Sequence, residues 1–181
     1  MPLDKLTIIG AGLLGGSIGL AARARGLARR VSALVRRPES LAECQALGIA
    51  NEVTLDPAEA VACADLVVLC TPISGMAGLA KRTLPDLKPG TVITDVGSTK
   101  QQLVAELTPL CAGAGARFVG SHPMAGSDQT GPSAARADLF DGTVCVVTPT
   151  SDTDADALAT VNDFWAGLGS RPVVMPADTH D

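Results

Sequence analysis

Tyrosine is absent from this 181-residue sequence, and one tryptophan and three phenylalanines hold the aromatic share to 2%. With hydrophobic residues at 46%, the core has to be built from Ala, Val, Leu and Ile. Such side chains suit strands covered by helices that pack closely. Basic residues are outnumbered: 14 Lys and Arg against 19 Asp and Glu give a formal charge of −5 and a pI near 4.9. That balance argues against a nucleic-acid partner, while leaving room for a local basic pocket around a phosphorylated ligand. The five cysteines (Cys44, Cys63, Cys70, Cys111 and Cys145) are odd in number and include no C-x-x-C pair. Buried free thiols in a reducing cytoplasm explain them better than a disulfide framework or a metal site. The apolar run over residues 6–22 carries five glycines, which weaken a membrane-inserting helix, and Asp4 spoils a positively charged leader. Neither a membrane span nor a signal peptide is expected.

What is present is alternation. The length fits one domain, with or without a fragment of a second. Strands are expected at 6–10, 31–35, 49–53, 66–70, 91–96, 116–121, 143–149 and 172–176. Helices are expected at 17–26, 38–48, 56–64, 100–115 and 154–168, two of them opened by proline. This order predicts an α/β fold of the Rossmann type, a doubly wound and mostly parallel sheet with helices on both faces, plus extra strands after residue 140.

GAGLLG, residues 10–15, follows the first strand and opens the first helix. In a G-x-G-x-x-G loop, Gly10 permits the tight turn, Gly12 lets backbone approach a pyrophosphate, and Gly15 allows close helix–strand packing. Leu13 and Leu14 place their N–H groups at the helix start, where an anion binds. About 20 residues on, an NAD site offers an acidic residue to the ribose. Here ALVRRPE (33–39) has Val35 or its neighbour at that position, then Arg36 and Arg37, with no carboxylate before Glu39. Two guanidiniums suit a 2′-phosphate, so NADP is preferred, with NAD as the alternative. The arginines also fit a solvated strand end that stacks on adenine.

Three further strand ends carry polar residues. Cys70, Thr71 and Pro72 follow the fourth strand and either border the dinucleotide or form a plain turn. DVGSTK (95–100) brings Ser98 and Lys100 to the same edge, and GSHPMAGSDQTG (120–131) brings His122. Hydride transfer from an alcohol also needs a base for the hydroxyl proton, and a neutral imidazole is suited to that near pH 7. Ser98 either bonds the same hydroxyl or fixes the imidazole.

The series GAGLLGGS, LVVLCTP, DVGSTK, GSHPMAGSDQTG, ADLF and VVTPT resembles the prephenate/arogenate dehydrogenase family of tyrosine biosynthesis, through essentially the whole chain. The resemblance implies oxidative decarboxylation of prephenate to 4-hydroxyphenylpyruvate, of arogenate to tyrosine, or of both. It gives His122 the role of general base for the ring hydroxyl and places Ser98 beside that hydroxyl and the nicotinamide. Ser127 and Asp128 then border the substrate. Family members usually continue for about a hundred residues as a helical domain that completes the substrate site and forms a homodimer. On that reading residues 1–176 are the dinucleotide-binding domain, 177–181 only begin the next one, and the chain alone turns over poorly. Lys100 and Arg136 are the only basic candidates nearby for the substrate carboxylates. Two rivals are another reductase of the β-hydroxyacid-dehydrogenase-like group, such as an imine reductase, and a non-catalytic NADP-binding module. The first does not carry GSHPMAG, and the second needs neither Ser98 nor His122.

Overall fold

The computed structural model describes residues 2–181. Its main sheet has six strands, all parallel, in the order β3-β2-β1-β4-β5-β6. They are β1 (Leu3–Ile9), β2 (Ala28–Leu34), β3 (Glu52–Thr54), β4 (Leu66–Leu69), β5 (Val92–Asp95) and β6 (Arg117–Phe118). The helices are α1 (Leu13–Ala24), α2 (Pro38–Ala46), α3 (Pro57–Val61), α4 (Ile73–Thr83), α5 (Gln101–Gly113), α6 (Ala155–Gly167) and α7 (Ala177–His180).

Period-two alternation divides the apolar strand residues between two cores. Leu6, Ile8, Leu66 and Val68 pack with Ile18, Ala21 and Ala22 of α1 and with Trp165 of α6. Ile9, Val67, Leu69 and Ile93 point the other way, onto α3, Met76 and Ala80 of α4, and Leu103 and Leu107 of α5. Both faces are therefore covered, which is why the central strands read as unbroken apolar runs.

The chain order reverses between β1 and β4, and a crevice opens there at the carboxyl ends of the strands. The helix α4 has no counterpart among the sequence expectations. Gly75 and Gly78 weaken its propensity, yet Met76, Ala80 and Thr83 recur at helical spacing and are buried on the sheet.

The single strand expected over 116–121 is two. β6 ends at Phe118, and β7 (Gly120–Pro123) leaves the main sheet to pair antiparallel with β8 (Val144–Thr148). Gly120 makes the transfer feasible, because a Cβ there would lie 2.6 Å from Thr148 Oγ1 and 2.8 Å from Val104 Cγ2. β8 continues through α6 to the parallel β9 (Arg171–Val174), so β7, β8 and β9 form a second small sheet. His122 consequently lies within β7, opposite Val146, rather than in a loop beyond a strand. Among the cysteines, Cys44, Cys111 and Cys145 are buried, whereas Cys63 is exposed. No helix among the described residues is long and apolar enough to cross a membrane.

Candidate functional site

The glycine loop is shaped by contacts that leave no room for side chains. Gly10 adopts φ 96° in the turn after β1 and donates its N–H to the Leu34 carbonyl of β2 at 3.0 Å, extending the β1–β2 ladder. A Cβ on Gly10 would press on Thr71 Cγ2 at 2.9 Å and the Cys70 carbonyl at 3.0 Å, and one on Gly15 would collide with the Gly10 carbonyl. Gly12 differs: nothing lies within 4 Å of a Cβ built there. It opens α1 without any side-chain cap, and no acidic residue occupies the first turn. The N–H groups of Leu13 and Leu14 therefore keep their affinity for an anion, reinforced by the helix dipole.

These residues form one wall of a cleft of about 590 Å³. Its lining includes Gly12, Leu13, Leu14, Cys70, Thr71, Pro72, Ser98, His122 and Ser127. Thr71 Oγ1 is buried with no hydrogen-bond partner among the described residues. Such a group calls for a ligand or water, so the residues here fit a dinucleotide: an uncapped helix start, an open glycine and an orphan hydroxyl on one wall. Burial pushes the Cys70 thiol well up, which leaves it a neutral neighbour rather than a nucleophile.

The opposite wall is held by the corner between β5 and α5. Asp95 is fully buried, and its Oδ2 accepts the Gly97 N–H at 2.7 Å while its Oδ1 accepts the Ser121 N–H at 3.0 Å. The Lys100 ammonium pairs with Asp95 and donates to the Ser121 carbonyl at 3.0 Å. Burial pushes the Asp95 carboxyl above its ordinary value, against the opposing pull of Lys100 and the two N–H donors. The D-x-GS-x-K stretch is thus tied at both ends, and Ser98 stands exposed between them on the cleft. Lys100, entirely buried, does not reach the cleft, so it is no candidate for a substrate carboxylate. Arg136 pairs with Asp138 at 2.7 Å and is exposed.

His122 is half-buried, with its Nδ1 2.9 Å from His180 Nε2. His180 Nδ1 lies 2.7 Å from Asp181 Oδ1. Asp181 in turn accepts the backbone N–H groups of Lys100 (2.7 Å) and Gln101 (2.9 Å) at the start of α5. The Gln101 N–H, the His180 ring and the Lys100 N–H draw the Asp181 carboxyl down to about 2. Burial lowers the His122 imidazole below its ordinary value, helped by the nearby His180 and Lys100 and opposed by Asp181. His122 is therefore neutral at neutral pH, the form a base requires.

Other expected residues lie apart. Ser98 makes no hydrogen bond to His122, whose orientation is set by His180 instead. Ser127 is exposed and donates to Asp128 Oδ1 at 3.1 Å, and Asp128 itself is not among the lining residues. Arg36 and Arg37 are exposed just past β2, without an ion pair among the described residues. Gly10 and Gly15 lie beneath the loop rather than on the cleft surface. Asp95, Ser121, His180 and Asp181 are absent from the sequence-derived site. Asp95 was visible as the first letter of D-x-GS-x-K and His180 as the second histidine, but their roles depend on contacts distant in sequence.

Residues 18–174 match the model of the prephenate dehydrogenase nucleotide-binding domain. A cyclohexadienyl dehydrogenase of Zymomonas mobilis is 35% identical over 176 residues, covering 97% of this chain and 59% of that protein. The crystal structure of a prephenate dehydrogenase from Aquifex aeolicus, in complex with hydroxyphenyl propionate and NAD+, superimposes with a TM-score of 0.92 at 30% identity. It covers 99% of this chain and 62% of that one. An arogenate dehydrogenase from Synechocystis gives a TM-score of 0.90 at 28% identity, over 97% of this chain and 61% of the other. The chain thus spans about three fifths of the length of these relatives.

Proposed function

This chain belongs to the prephenate dehydrogenase family as its nucleotide-binding domain, and from that premise we propose that it serves the oxidative decarboxylation of prephenate, arogenate or both. The observation that carries the reading is one cleft holding the open glycine loop, Ser98 and a neutral His122 together. In this reading residues 1–176 act as the dinucleotide-binding domain. A homodimeric gene product in the cytoplasm is part of the same proposal.

The loop N–H groups of Leu13 and Leu14, with Thr71, hold the pyrophosphate side of the cofactor, and the cofactor when bound supplies the hydride acceptor. His122 takes the proton of the ring hydroxyl on its free nitrogen. Ser98, exposed on the same wall, donates to or accepts from that hydroxyl and fixes its position. The ring loses CO₂ and becomes aromatic, so the protein mainly positions and desolvates its reactants. Ser127 and Asp128 border the substrate beyond His122. We take NADP as the preferred cofactor, because Arg36 and Arg37 are exposed past β2 with no carboxylate between them and Glu39.

Titration of the chain with each nucleotide tests the cofactor half. NADP is expected to bind at least about tenfold more tightly than NAD, the scale of one charge-assisted hydrogen bond. Replacing both arginines by serine should abolish the difference, and a preference for NAD refutes the NADP reading. Turnover is measured on the product of the gene, with prephenate and arogenate as substrates. His122→Asn should keep nucleotide affinity while losing about 10²- to 10⁴-fold in kcat. Loss of nucleotide binding instead would make His122 a structural residue.

A further inference from the structure

The proton on His122 can be placed by counting donors and acceptors along the chain of contacts behind it. Asp181 is held ionised by two backbone N–H groups, so toward His180 it can only accept. His180 Nδ1 must then carry a hydrogen, and in the neutral ring its Nε2 is a lone pair. Across the 2.9 Å contact, His122 Nδ1 is left as the donor, which removes the hydrogen from His122 Nε2. The two rings meet edge to face, with centroids 5.1 Å apart and planes at 69°, a T-shaped approach. Asp181 is anchored to the start of the 13-residue α5 by those two N–H groups, and Ala177 packs against the core under α4 and α5.

We propose that His180 and Asp181 are positioning residues for His122, fixing its Nδ1–H tautomer so that Nε2 is the basic nitrogen. The proposal rests on the reading of His122 as the general base, and it explains how a neutral imidazole is kept in the one tautomer that can accept a proton there. It also implies a limit. Protonating His180 would convert its Nε2 into a donor and drive the His122 hydrogen onto Nε2, which closes the base. The charged and titratable groups around the pair are Lys100 at the head of α5, Asp181 on the other side of His180, and the Cys145 thiol in β8, which burial keeps neutral. Of these only Asp181 opposes the loss of a proton from His122.

The chain contains two histidines, so nitrogen-15 spectra of its imidazoles show two ring systems and are simple to assign by substitution. At pH 7.5 the native chain should show both rings protonated at Nδ1, with the His122 Nε2 resonance at the shift of an unprotonated nitrogen. In His180→Ala, and to a lesser degree in Asp181→Ala, the His122 signal should move toward the Nε2–H tautomer that a free imidazole prefers. Circular dichroism and nucleotide affinity should stay as in the native chain. On the gene product, His180→Ala should lower kcat about tenfold or more with little change in the nucleotide KM, and should shift the acid limb of the pH profile. An Nε2–H tautomer in the native chain, or a His122 signal indifferent to both substitutions, overturns the proposal. The spectra do not depend on turnover, so the two readings fail separately. If the tautomer responds while His122→Asn stays active, the positioning stands and the base assignment falls. If the tautomer does not respond while His122→Asn is inactive, the reverse holds.

Discussion

Gly12 and Gly15 are three residues apart in one loop, yet an added methyl group meets opposite surroundings at each. At Gly15 it would strike the carbonyl of Gly10, and backbone cannot yield as a flexible side chain can. At Gly12 it would enter open space on the cleft. Gly15→Ala should therefore destabilise the fold by about 1–3 kcal/mol, the range typical of overpacking. Gly12→Ala should unfold at nearly the native urea midpoint but bind nucleotide at least tenfold more weakly, since its methyl group occupies the approach of the pyrophosphate (a scale of about 1.4 kcal/mol). Urea unfolding and nucleotide titration of the two variants separate these effects. Equal loss of stability in both would show that the loop has one structural role throughout.

The corner between β5 and α5 works as a unit because its charges are buried against one another. Asp95 and Lys100 are both fully buried, and their pair closes onto the backbone of Ser121 in β7. Lys100→Met removes the cation and leaves the carboxylate with only the Gly97 and Ser121 N–H groups, at a cost of about 3–5 kcal/mol. The sign with pH follows from the direction in which burial already pushes Asp95. With its folded value raised, the neutral form is the tolerated one, so the variant should be most stable below the ordinary carboxylate range and lose stability as pH rises through and above it. Denaturation of Lys100→Met at pH 5 and pH 8 should show a larger deficit at pH 8. A deficit that is the same at both would mean that Asp95 keeps its charge without Lys100.

At the scale of the molecule, Trp165 connects parts that the backbone separates. From α6 it donates its indole N–H to Ser121 Oγ in β7 at 2.9 Å, and its ring meets Phe140 and Phe164 edge to face. Ser121 Oγ gives its single hydrogen to the Asp95 carbonyl at 2.6 Å, so Thr94, 2.7 Å away, is a donor to it. One hydroxyl thus joins the main sheet, the second sheet and α6. Trp165→Phe keeps most of the packing and leaves no buried donor unpaired, so it should cost about 1 kcal/mol. Trp165→Ala should cost about 3–5 kcal/mol and lower the midpoint of the whole transition. Far-ultraviolet circular dichroism should show a single transition in both variants. A second transition in Trp165→Ala would mean that the two sheets unfold independently.

The sequence makes the parallel sheet, the glycine loop and the cleft residues Thr71, Ser98 and His122 legible, because these depend on local spacing. Apolar runs, helix starts and a turn after each strand are written in consecutive residues. It left α4 unread, since two glycines mask a helix that only burial on the sheet stabilises. Tertiary contacts alone divide the segment around Val119 between two sheets, turn Lys100 inward to Asp95, and bring His122 against His180, which in turn meets Asp181. Those contacts join residues as many as 58 positions apart. Their energies come from burial and from donor–acceptor pairing across elements, and no local pattern of residue types carries that information.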